Sequence, residues 1–181
     1  MDTKNTLIAE RYSDALVQIA KDGRLSYEKI NADLEIVNNI LAQSKDLMEF
    51  LTNPTISAED KKGIIGKVFS EEIDTLIVNF LKVLVDKNRF SVFEEVLKSY
   101  KKTLDDVNNI SRVQVTSAVE MNEESKVKLR EKLEQKMRKN VVLELNISPD
   151  IIAGLILKMG DNVIDMSLRH KLEDLSKNII R

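Results

Sequence analysis

Cysteine and tryptophan are absent from this chain of 181 residues, and it holds one histidine, five glycines and two prolines. Without cysteine there are no disulfides, no thiolate nucleophile and no zinc-thiolate site, and the chain suits a reducing compartment. A single histidine leaves most remaining metal chemistry without donors. So little glycine and proline argues against a turn-rich sandwich or barrel. Charge of one sign is also missing: 28 Lys and Arg face 30 Asp and Glu, for a net charge of −2. Such a chain has no general attraction to phosphate backbones or anionic lipid, so nucleic acid is not an expected partner. Long apolar runs are missing too. The most apolar window, Ile151 to Leu157, contains Gly154 and is far short of the roughly 20 residues that cross a bilayer, so no direct membrane insertion is expected. The N-terminus has no basic segment followed by an apolar one and carries two acids by position 10, which argues against a targeting segment.

What is present is 43% hydrophobic and 32% charged residues, a balance that favours long amphipathic helices around cores of ordinary size. Ile8, Tyr12, Ala15, Leu16 and Ile19 predict a first helix from Leu7 to about Ala20, ended by Gly23. Tyr27, Ile30, Leu34, Val37 and Leu41 predict a second, with Ser26 as N-cap. A short third, Asp46 to Leu51, must stop before Asn53-Pro54. Ser57 opens a fourth that runs to about Phe69, with Asp60 where a capping box has Glu. Glu71 to Asp86 is the expected fifth. The sixth runs from Arg89 or Ser91 to about Val107 with Phe93, Val96, Leu97, Tyr100, Leu104 and Val107 on one stripe.

After Asn108-Asn109 the period changes. Val113, Val115 and Val119 alternate with polar residues, as do Leu143, Leu145 and Ile147, and a charged helix from Glu123 to about Lys139 separates them. Ile152 to Met159 and Val163 to Met166, separated by Gly160-Asp161-Asn162, read as a hairpin or as two short strands with a Gly-containing turn. A closing helix carries Leu168, Leu172, Leu175 and Ile179 in a narrow stripe. The expectation is a mainly α chain: a six-helix bundle over 1–108, then a small α/β domain over 109–181.

No segment carries convincing site chemistry, so no catalytic, cofactor-binding or metal-binding residue is assigned. Gly63 and Gly66-Lys67 have the wrong spacing for a phosphate loop and lie inside an expected helix, where backbone amides are already bonded. His170 between Arg169 and Lys171 could accept phosphate, but a solvated histidine is the plainer reading. The pairs Glu71-Glu72, Asp105-Asp106 and Glu123-Glu124 are adjacent, about 100° apart on a helix, and do not converge on a substrate. The cations from Lys126 to Lys139 are interleaved with Glu131 and Glu134 and read as a solvated face. The anomaly is the fifth helix. Ile73, Leu76, Ile77, Phe80, Leu81, Val83, Leu84 and Val85 cover far more than the usual stripe of about 100°. Either the helix is central to its bundle, or it leaves a second apolar face for a partner.

The opening Ala9-Glu10-Arg11-Tyr12-Ser13-Asp14-Ala15-Leu16, Asn53-Pro54 with Lys61-Lys62, Asn79-Phe80-Leu81 through Asn88-Arg89, and above all Ile151 to Gly160 followed by Val163 to Arg169 and Leu172 form one pattern. It resembles the delta subunit of F-type ATP synthases, related to the mitochondrial oligomycin-sensitivity-conferring protein, over nearly the whole chain. Ser13 stands where that family usually has Ala, and Ala153 replaces the first glycine of its common Gly-Gly pair. The resemblance implies a non-catalytic stator subunit without cofactors, one copy per complex, at the cytoplasmic face of a bacterial membrane. It implies a groove between helices one and five for the N-terminal helix of an alpha subunit, carried by position onto Tyr12, Ala15, Ile19, Phe80, Val83 and Leu84. It also implies a grip on the peripheral-stalk b subunits by the C-terminal region, onto Leu168, Leu172 and Leu175. An adaptor of another assembly and a histidine phosphotransfer protein are the alternatives.

Overall fold

The computed structural model describes residues 3–160, 162–170 and 172. Among them the chain is mostly helical with one four-stranded sheet. It forms two compact units, Met1–Leu104 and Asp105–Arg181.

The first unit holds α1 (Thr3–Lys21), α2 (Tyr27–Gln43), α3 (Lys45–Thr52), α4 (Ala58–Phe69), α5 (Thr75–Asp86) and, after a 3-10 turn at Phe90–Val92, most of α6 (Phe93–Val107). Local chemistry sets these limits. Ser26, Ser44 and Ser57 each turn a side-chain oxygen to the amide three residues on, satisfying a donor the helix cannot. Asp60 bonds the Ser57 hydroxyl in return (2.7 Å), a variant of the reciprocal cap expected there. α1 ends where Gly23 takes φ +70°, Arg24 N–H bonding Ile19 O and Gly23 N–H bonding Ala20 O. Asn88 ends α5 in the same way at φ 51°.

α5 starts later than its apolar pattern predicts. Glu71 to Ile73 fit the helical phase, but Asp74 is the N-cap, accepting from Leu76 N–H at 2.8 Å. Ile73 is buried from the connection rather than from the helix. The core is one cluster drawn from all six helices: Ala9, Leu16 and Val17; Ile30, Leu34, Val37 and Leu41; Leu51; Ile65 and Phe69; most of α5; and Phe93, Val96, Leu97 and Tyr100.

The second unit is built on β1 (Ile110–Ser117), α7 (Glu123–Met137), β2 (Asn140–Ile147), β3 (Leu155–Met159) and β4 (Asn162–Asp165). Strand order is β2-β1-β3-β4. β1 and β2 are parallel, joined through α7 as parallel strands require, and β3 pairs antiparallel with both β1 and β4. The core is Val113, Val115, Val141 and Leu157 with Leu133 of α7, flanked by Leu129 and Met137. Expected alternation holds in β1 but not throughout. Val119 lies beyond the strand and is exposed, and Leu145 and Ile147 in the last part of β2 are exposed as well.

Candidate partner-binding surfaces

The wide apolar arc of α5 is mostly interior. Ile77, Val78, Phe80, Leu81, Leu84 and Val85 are buried, so the helix is central to its unit, and Val83 at 45% exposure is its open apolar residue. Leu84 has no exposed surface and Phe80 is nearly covered. α1 brings Tyr12 against Phe80 in an edge-to-face contact with ring centroids 6.1 Å apart. Tyr12 and Ile19 are half-buried and Ala15 is exposed. The structure therefore brings Tyr12 and Phe80 together, leaves Tyr12, Ala15, Ile19 and Val83 with accessible apolar surface, and puts Leu84 beneath it.

The start of α5 is held by a group that periodicity conceals. Asp33 falls in phase with Ile30, Leu34 and Val37 and is fully buried. One of its oxygens accepts from Lys29 Nζ (2.7 Å) and the other from the backbone N–H of Asp74 (3.0 Å). The hydrogen bond and charge of Asp33 hold the Lys29 ammonium above its ordinary pKa. A carboxylate in the apolar phase of a helix was the available signal for this contact.

In the second unit, Leu168 and Leu172 are exposed by 42% and 50%, and Leu175 lies outside the described residues. Leu168 N–H bonds Ala153 O (2.8 Å) and Met166 N–H bonds Leu155 O (2.9 Å), tying this segment to the start of β3. That approach demands glycine at 154: φ is +95°, and a Cβ there would overlap Met166 O and lie 2.9 Å from Ser167 Cα. Ile152 takes φ 65°, ψ −56°, with Ala153 N–H bonding Ile151 O (2.7 Å), a tight γ-turn rare for a β-branched residue. Hydrogen bonds from Ser167 hold the Asp165 carboxyl below its ordinary pKa, with a smaller contribution from His170. Leu145, Ile147, Val163 and Met166 are further exposed apolar residues of this unit, which sequence reasoning reads as strand positions and not as contacts.

The remaining candidates acquire no site geometry. Gly63 and Gly66 lie inside α4. His170 is exposed, its own N–H spent on Ser167 Oγ (3.2 Å). No group of three His, Asp or Glu placed to hold a metal occurs among the described residues, and none of their helices is long and apolar enough to cross a membrane.

Among the described residues, the fold presents exposed apolar side chains on each of two folded units and no cluster of metal-ligating side chains. The family profile of the ATP synthase delta (OSCP) subunit matches residues 8–179. ATP synthase subunit delta of Trichodesmium erythraeum is 36% identical over 166 residues, 91% of each chain. That of Trichormus variabilis is 38% identical over 173 residues, 95% of this chain and 93% of the relative. A chain of the cryo-EM structure of the Toxoplasma gondii mitochondrial ATP synthase hexamer shares the fold, with a TM-score of 0.71 at 21% identity over 96% of this chain and 97% of that one. The chain belongs to the ATP synthase delta (OSCP) subunit family, whose members are non-catalytic.

Proposed function

We propose that this chain is a peripheral-stalk joint of an F-type ATP synthase. Residues 1–108 act as a six-helix bundle that binds the N-terminal helix of an alpha subunit, and residues 109–181 act as an α/β domain that binds the b subunits. The protein sits as one copy in its complex, peripheral to the cytoplasmic face of a bacterial membrane. Its work is mechanical. Rotation of the central shaft drags on the catalytic head, and the stalk holds the head still so that proton flow is converted into ATP synthesis.

The observation that carries the first contact is the Tyr12–Phe80 pairing, which brings α1 against α5; Tyr12, Ala15 and Ile19 on α1 and Val83 on α5 keep accessible apolar surface, which we read as one strip. An amphipathic helix can bury such a strip with anchors at three- and four-residue spacing. Each side chain fully covered contributes roughly 1.5 to 3 kcal/mol, so a few suffice for micromolar affinity after association costs. Phe80 and Leu84 support the strip from within. At the other end, Leu168 and Leu172, with Leu175 further on, are the proposed contacts for the b subunits.

The test is calorimetric titration of the purified chain with a peptide of the cognate alpha-subunit N-terminus. Saturable binding at micromolar concentration is expected. A folded chain that gives no heat at those concentrations overturns the proposal.

A further inference from the structure

The last turn of α6 crosses out of the first unit. The division between units falls after Leu104, inside the helix and ahead of the Asn108-Asn109 turn where the sequence period changes. Asp105 and Asp106, on that turn, both pair with residues of the second unit. Arg112 of β1 grips Asp105 with two donors, Nε at 2.6 Å and a terminal nitrogen at 3.1 Å, and the Asp105 side chain is largely covered. Lys139, just ahead of β2, reaches Asp106 at 2.9 Å. Asn109 adds two links to the same region, its side-chain amide to Arg138 O (3.3 Å) and its own O from Asn140 N–H (2.9 Å). Arg112 is shared with Glu144 of β2 at 4.0 Å.

One turn upstream, Thr103 Oγ1 bonds back to Ser99 O at 3.3 Å, a contact that weakens and bends helices by competing for the carbonyl. A forked arginine pair fixes direction as well as distance. A second pair on the neighbouring residue, reaching another element, adds a restraint in a second direction.

We propose that Asp105 and Asp106 form an ionic clasp that makes the last turn of α6 part of the second unit, so that flexure of α6 is confined to the turn from Ser99 to Leu104. The flexible point of the chain is then inside a helix and not in the loop that follows it. The clasp stands independently of which partners the two units bind.

Hydrogen exchange on the full-length chain, read by mass spectrometry with residue-level fragmentation, tests this. In the unaltered protein the amides of 103–107, which bond back to carbonyls 99–103, exchange faster than those of 97–101 and of 110–115. In the Asp105→Asn, Asp106→Asn double variant, exchange at 105–112 rises roughly threefold to tenfold, in line with two partly exposed ion pairs, while 93–101 is unchanged. Moving the unaltered protein from low to high salt reproduces that rise, and the double variant is insensitive to it. Protection at 103–107 equal to that at 97–101, with the fastest amides at 108–109, would place the flexure in the loop and overturn the proposal. A double variant whose exchange is unchanged at 105–112, or raised evenly along all of α6, would do the same.

Discussion

Single residues expose what the helical pattern hides. Ser13 is fully buried and its hydroxyl has no hydrogen-bond partner among the described residues. It stands on the core side of α1, where an unpaired hydroxyl carries its full desolvation cost. Ser13→Ala removes that cost and adds helix propensity, so thermal denaturation should show about 1 kcal/mol of added stability. Tyr100 has the opposite character. Its ring is completely buried and its hydroxyl donates to Tyr27 O at 3.3 Å, and burial raises its pKa well above the ordinary 10.0. The folded chain therefore keeps a proton that the unfolded chain releases. Stability from this group is complete below pH 10 and falls as pH rises beyond it, by at most about 1.4 kcal/mol per pH unit. Lys29, whose pKa is also raised, contributes in the same direction. Urea denaturation from pH 9 to 11.5 should show a shallower decline in Tyr100→Phe than in the parent chain; equal slopes would mean the phenol titrates alike in both states.

Elements follow their caps more closely than their apolar periods. Ser26 and Ser57 were legible as starts because a hydroxyl ahead of an apolar stripe has one low-energy use. The start of α5 was not, because Glu71 to Ile73 fit its phase and only the geometry at Asp74 excludes them. Its wide arc allowed either a central helix or an open face, and only burial decided for the central position. The pairing on the last turn of α6 was hidden for a related reason: adjacent acidic side chains look solvated until Arg112 and Lys139 are seen facing them. Asp33 shows how much an element can depend on one contact. Asp33→Ala would strand the Asp74 amide and free Lys29, and loss of a buried charged acceptor costs about 3 kcal/mol. Asp33→Asn keeps an acceptor and should cost less than half as much. Denaturation midpoints of the two variants check this, and equal losses would mean the charge, not the hydrogen bond to α5, is what matters. In the second unit, Gly154→Ala meets both a positive φ and the Met166 carbonyl, so about 2 kcal/mol or more should be lost. Hydrogen exchange should place that loss in β3 and β4.

At the scale of the whole molecule, a joint must hold two partners at once, and its two grips should fail separately. Tyr12, Ala15, Ile19 and Val83 belong to one folded unit and Leu168 and Leu172 to the other. Sequence supplied both sets only through family resemblance, since an apolar residue facing a core and one facing a partner have the same period. Burial separates them. Val83 is 45% exposed and Leu84 is not exposed at all, so an acid at each position should act through different physics. Val83→Asp places a charge in water in the free protein and in an apolar contact in the complex; affinity for the alpha-subunit peptide should fall at least about tenfold with circular dichroism and melting temperature nearly unchanged. Tyr12→Asp should weaken the same binding, with some loss of stability because its contact with Phe80 goes too. Leu84→Asp should unfold the first unit, because an unpaired carboxylate in that core has no compensating partner. Leu168→Asp with Leu172→Asp should leave peptide affinity untouched and abolish capture of a fragment from the C-terminal end of the b protein. Loss of peptide binding in that last variant would show that the two grips are one coupled surface, and a joint with independent ends would have to be abandoned.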